Sequence, residues 1–218
     1  VQGGAAPIVG VCRPQSRALA PRFDSVDGAA LHDTAAVSPQ HCRSLVLVAF
    51  GADHDPAGPA LLLPEVAERL AMLLGVASRA LHDQGSPDQA LAGLGSGGSA
   101  PVAWLPRDPG LIMADGGCWA EALAAWRQPT LLVVSPLQLG TGFPAACTAL
   151  LQRCSVPLLG LIQWGDGWRE SERRADRLPW LGSLSNRASV EAEDREDEDR
   201  LITLLRWRWQ RLDVQGGA

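Results

Sequence analysis

The sequence predicts an α/β domain built on a doubly wound, mostly parallel sheet with helices on both faces. Three observations carry that expectation. Residues 130–135 (Thr-Leu-Leu-Val-Val-Ser) and 156–164 (Val-Pro-Leu-Leu-Gly-Leu-Ile-Gln-Trp) are apolar runs without alternation, as in strands covered on both faces. A turn (136–142) and a helix-like segment, Phe143 to Cys154, separate them, and strand, helix and strand within about 35 residues make a right-handed unit with parallel strands. Strand-like and helix-like stretches also alternate along the rest of the chain.

Taken in order, Ala6 to Cys12 reads as a short first strand, Arg13 to Asp24 as a Pro/Arg-rich loop and Ser25 to Ala36 as a weak helix. Leu45 to Phe50 is a strand that ends in the polar turn Gly51-Ala52-Asp53-His54-Asp55-Pro56. Pro64 to Leu74 puts Val66, Leu70, Leu73 and Leu74 on one helical face with Glu65, Glu68 and Arg69 outside. Gly75 to Leu91 reads as short helices, one starting at Ser86-Pro87. Gly93 to Ser99 is flexible by composition.

Val102 to Leu105 has the composition of a short strand, and Leu111 to Ala114 reads as a third full strand ending in Asp115-Gly116-Gly117. Cys118 to Arg127 is a helix. Beyond Trp164, Arg169 to Arg177 is a short polar helix and Pro179 to Leu184 a last strand. The charge run Glu191 to Asp199 reads as a solvated loop or first helical turn. Arg200 to Leu212 closes the chain as a helix, with Leu201, Leu204, Leu205 and Leu212 inward and Arg206, Arg208 and Arg211 outward.

With 218 residues and 46% hydrophobic content, one domain over 6–212 fits, with 1–5 and 213–218 as flexible ends. Val-Gln-Gly-Gly-Ala stands at 1–5 and again at 214–218; an added terminal sequence and one unit of a longer repeated chain both fit. The net charge of −5 argues against a nucleic-acid footprint. No run of 18 apolar residues and no basic-then-apolar leader is present in the sequence, so a cytoplasmic protein is expected. The five cysteines (12, 42, 118, 147, 154) form an odd set without a CxxC pair and read as buried free thiols. All 19 basic residues are arginine and there is no tyrosine. Lysine-dependent phosphate binding and Schiff-base chemistry are therefore closed to this chain.

Four segments together carry a family resemblance. They are Leu-Val-Leu-Val-Ala-Phe-Gly-Ala-Asp-His-Asp-Pro (45–56), Leu-Ile-Met-Ala-Asp-Gly-Gly (111–117), the pair 131–141 with 156–164, and Leu-Pro-Trp-Leu-Gly-Ser-Leu (178–184). In this order they resemble, respectively, the second strand with its acidic turn, the Walker-B strand, the strand–helix–strand after it and the closing strand of the MinD/ParA and dethiobiotin-synthetase branch of P-loop NTPases. Gly75 to Leu91 is also similar to the exopolysaccharide ATPases and tyrosine kinases of this fold, although the tyrosine tail is absent. The resemblance implies a three-layer P-loop NTPase-like frame and a tendency to dimerise. It also implies a glycine-rich loop with a lysine after the first strand, between Cys12 and Asp24. That stretch has no glycine and two prolines, so a phosphate cradle of successive amides is not expected there.

Candidate site residues follow from both readings. Asp53, Asp55 and Asp115 are expected at carboxyl ends of strands, where they would hold Mg²⁺ or orient water in an active relative, or else form turns and caps. His54 between two aspartates suggests a metal ligand, but no second histidine is near and a surface turn is the simpler reading. Gly140, Thr141 and Gly142 are half of a dinucleotide fingerprint or a plain strand-to-helix turn. Arg13, Arg17 and Arg22 suit a phosphate or a partner's carboxylates, or are solvated. Trp207 and Trp209, two apart on a helix, cannot both be core, and with Arg206 and Arg208 they suggest a contact surface. No Gly-x-Ser-x-Gly elbow occurs.

The expected function is that of a non-catalytic pseudo-NTPase that binds a protein partner or self-associates. The alternatives are a ligase or transferase resembling dethiobiotin synthetase, and a MinD-like positioning or polysaccharide-export regulator touching a membrane through 200–212. No cofactor is demanded by the residues.

Overall fold

The computed structural model describes residues 44–52, 58–81, 86–94, 101–114, 116–186 and 192–215. The expected strand at 6–12 and helix at 25–36 lie outside these residues, as do Arg13, Arg17, Arg22, Asp53, His54, Asp55 and Asp115.

Among the described residues six strands form one sheet: β1 (Leu45–Val48), β2 (Ser78–Ala80), β3 (Val102–Trp104), β4 (Thr130–Val134), β5 (Leu158–Trp164) and β6 (Trp180–Leu184). Their order is β2-β3-β1-β4-β5-β6 and every pairing is parallel. Helices α1 (Pro59–Leu74), α2 (Pro87–Ala92), α3 (Trp119–Ala125), α4 (Phe143–Arg153), α5 (Glu170–Ala175) and α6 (Ala192–Gln215) connect and close it. Right-handed crossovers put α1 on one face and the next four helices on the other, and α6 returns to the face of α1. The α1/α6 layer buries Leu63, Val66, Leu70, Leu201, Leu205 and Trp209 against Leu45, Leu47, Leu131, Val133 and Ile162 of the strands. The alternate strand residues Val46, Val48 and Leu132 are equally buried, together with Trp119, Leu123 and Leu151 of α3 and α4. A doubly wound α/β fold is thus established, and burial on both sides is why the strands read as unbroken apolar runs.

Four local expectations are corrected. Leu111 to Ala114 is not a sheet strand; Ile112 makes only an antiparallel bridge to Cys118. Leu111 and Ile112 are more than half exposed, whereas Val102 and Ala103 fill the place beside β1. An apolar run of four residues is too short to distinguish core from loop, and Pro109-Gly110 and Gly116-Gly117 bend the chain on either side of it. Second, 75–91 is not all helical. Gly75 ends α1 in the left-handed conformation (φ 72°), with the Val76 amide on the Ala71 carbonyl, and Ser78–Ala80 then forms the edge strand. Ser86 caps α2 as expected, its Oγ accepting from the Gln89 amide. Third, α1 begins five residues earlier than its periodicity suggested, with Pro59 in the first turn and Pro64 inside the helix.

Fourth, the closing helix spans Ala192–Gln215, absorbing the acidic run and passing the expected boundary at 212. Its N-terminal half is fixed by Glu198, whose carboxylate accepts from Arg69 Nη2 (2.5 Å) on α1 and from the Ser185 amide (3.2 Å) after β6. Glu198 is buried, and a buried carboxylate needs such partners.

Candidate functional site

In an open α/β sheet, ligands bind beyond the carboxyl ends of the strands where the winding direction reverses. Here the chain leaves β1 for β2 on one side and β4 for β5 on the other, so that point lies between β1 and β4. The strand ends around it are tied together by side chains. Gly51, at φ 139°, donates its amide to Asp108 Oδ2 (3.0 Å), and Asp108 Oδ1 accepts from the Gly110 amide (2.7 Å). Gln138 Nε2 donates to the Phe50 carbonyl (3.0 Å) while its Oε1 accepts from the Ser135 amide (3.0 Å). These polar groups are spent on backbone, so they position the loops. Among the described residues two buried side-chain oxygens are left without a hydrogen bond, Ser135 Oγ at the end of β4 and Gln163 Oε1 in β5.

Gly140, Thr141 and Gly142 reach the same edge, after a 3-10 turn at Pro136–Gln138. Gly140 is left-handed (φ 75°), and Gly142 is the N-cap of α4. Thr141 Oγ1 donates to the Gln138 carbonyl (2.7 Å) and accepts from the Phe143 amide (3.2 Å). The threonine hydroxyl is thus engaged in shaping the turn into α4.

The segment that follows β1 reads Gly-Ala-Asp-His-Asp-Pro-Ala-Gly over 51–58, of which 53–57 lie outside the described residues. It joins β1 to α1, and its sequence carries two carboxylates and a proline but no cation other than what His54 could supply. Comparison of the chain with protein-family models and with curated proteins finds no match. Among the described residues no group of three or more His, Cys, Asp or Glu could hold a metal ion, and no helix is long and apolar enough to cross a membrane.

The second candidate region is α6. Of the two tryptophans, Trp209 is buried (6% exposed) and Trp207 is 53% exposed, which resolves their opposed positions on the helix. The Arg211 guanidinium lies 4.7 Å from the Trp207 ring centroid, a cation–π contact. Leu204, expected inward, is instead 43% exposed beside it. Arg206 is exposed. Arg208 is not a free surface cation: its Nη1 donates to the carbonyls of Leu159 (2.7 Å) and Pro179 (3.3 Å). Those carbonyls adjoin register shifts in the β4–β5 and β5–β6 pairings, where regular pairing is interrupted. Burial of the Arg208 side chain pushes its pKa down from the usual arginine value.

A third group lies beside β6. Trp180 donates its indole N–H to Asp176, packs edge-on against Trp168 at 5.9 Å and carries Arg173 over its ring at 5.3 Å. Arg173 is itself buried and pairs with Glu172 and Asp176. The hydrogen bond from Arg169, then the charges of Arg169 and Arg173, hold the Glu172 carboxyl below its ordinary value.

Sequence reasoning missed Asp108, Gln138 and Glu198. A signal existed for the first: Arg-Asp-Pro-Gly after a short apolar run is turn chemistry at a strand end.

Proposed function

We propose that this chain is a non-catalytic α/β domain, a pseudo-NTPase in the sense of the resemblance, that acts as an interaction or assembly subunit. The observation that carries the reading is the outward face of α6, where Trp207 and Leu204 stand exposed with Arg200, Arg206 and Arg211 around them. Tryptophan flanked by arginine is the composition of contact hot spots. The composition of the chain supports the same reading. Triphosphate binding needs amides and cations converging on anionic oxygens. The sequence after β1 carries Asp53, Asp55 and Pro56 rather than successive glycines, and the chain has no lysine.

Calorimetric titration of the full chain with Mg·ATP, together with a phosphate-release assay, tests this. The expected result is no saturable heat and no release above buffer. Micromolar affinity with turnover would overturn it.

A second reading rests on the buried, unpartnered Ser135 Oγ and Gln163 Oε1 at the carboxyl edge, which favour a small ligand-binding enzyme similar to dethiobiotin synthetase. The same titration separates the two.

A further inference from the structure

The acidic and basic parts of α6 lie end to end. Residues 193–199 carry Glu193, Asp194, Glu196, Asp197, Glu198 and Asp199 against Arg195 alone, and Arg200, Arg206, Arg208 and Arg211 follow. The inward stripe is Glu198, Leu201, Ile202, Leu205 and Trp209, all buried. Opposite it, at steps of three and four residues, stand Glu196, Arg200, Thr203, Trp207 and Arg211, all exposed, with Leu204 at the margin. Read from one end this stripe is acid, base, small, aromatic, base.

We propose that this face is where two copies of the chain meet, their α6 helices antiparallel about a twofold axis near Thr203 and Leu204. That register sets Glu196 of each copy opposite Arg211 of the other, and Arg200 of each opposite Trp207 of the other. At the axis Thr203 of each copy lies opposite Leu204 of the other. An interface of this kind is self-complementary, so each favourable pair occurs twice. A parallel pairing would instead set acid against acid and base against base. The charge layout therefore selects a second copy in one orientation, rather than a lipid surface, which the acidic half would oppose. Within one chain Glu196 pairs with Arg200 (2.5 Å) and Arg211 covers Trp207, and both contacts are exposed and so exchange at little cost. Glu196 to Arg211 spans about 22 Å of helix, a contact below standard interface size, so the dimer is a weak one.

The inference rests on the interaction reading above, and its test is independent of the nucleotide titration. Sedimentation equilibrium of the full chain from ~1 µM to ~500 µM at low salt covers the range of a weak dimer. The native chain is expected to pass from monomer to dimer across that range. Trp207→Ala, Glu196→Arg and Arg211→Glu each weaken association at least tenfold, with circular dichroism and the thermal midpoint showing the helix intact. An equimolar mixture of Glu196→Arg with Arg211→Glu recovers dimer, because each reversed charge then faces an opposite one. A native chain that stays monomeric throughout overturns the proposal. So do variants that associate like the native chain, or a mixture that fails to recover. Nucleotide turnover with an intact dimer would remove the proposed function and leave the interface; an inert monomer would do the reverse.

Discussion

Arg208 and Arg206 are two residues apart and do different work. Arg208 satisfies two carbonyls where strand pairing is irregular, and Arg206 stays in solvent. Arg208→Ala is therefore expected to cost about 1–3 kcal/mol in urea unfolding, and Arg206→Ala less than about 0.5 kcal/mol. Cys147 offers a second test at this scale. Burial, reinforced by the charge of Asp108, pushes its thiol from 9.0 up to about 12. The folded state thus holds the proton that the unfolded chain releases above pH 9. Stability from this residue is complete below pH 9 and falls from there towards pH 12, by up to about 1.4 kcal/mol per pH unit. Unfolding midpoints between pH 8 and 10.5 should fall less steeply in Cys147→Ala than in the native chain.

At the scale of elements, a close backbone approach at Gly160 governs how α6 meets the sheet edge. A Cβ on Gly160 would lie 2.5 Å from the Pro179 carbonyl oxygen and 2.9 Å from Arg208 Nη1. The first contact is backbone and cannot swing aside. Gly160→Ala should therefore separate β5 from β6 locally, displace Arg208 and cost about 1–3 kcal/mol, read as a lower thermal midpoint. Gly182 plays a related part, since a Cβ there would meet Leu201 Cβ at 3.2 Å. The helix itself shows how far periodicity reaches. Its apolar half was legible from Leu201, Leu205 and Leu212. Its acidic half looked solvated because nothing in a single sequence announces that Glu198 will find Arg69, 129 residues away. Leu204 was misplaced for the converse reason: it sits at the margin of the apolar stripe, and only packing decides which side of that margin is covered.

For the whole molecule, strand position sets the hierarchy of local stability. β1 lies between β3 and β4 and is wholly buried, while β2 is a three-residue edge strand whose residues are all at least partly exposed. Hydrogen exchange should therefore find the β1, β4 and β5 amides protected to near the global unfolding free energy, and those of β2 exchanging through local opening. Equal protection of β2 and β1 would contradict this picture. The candidate edge site was only half legible. Gly140, Thr141 and Gly142 were found because turn residues after an apolar strand mark a strand end. Asp108 and Gln138 were not, because their partners, Gly51 and Phe50, become neighbours only once the strands are ordered in the sheet.

By itself the sequence determined the class of fold and the identities of most elements, because burial on two faces leaves continuous apolar runs and helices leave a 3.6-residue period. It also closed lysine chemistry, which is a matter of composition. Tertiary structure alone decided that 102–104 and not 111–114 stands beside β1, that Asp108 and Gln138 tie the strand ends together, and that Trp207 faces outward while Arg208 is held in. Each of these depends on which distant segment arrives as a neighbour, and local pattern carries no record of that.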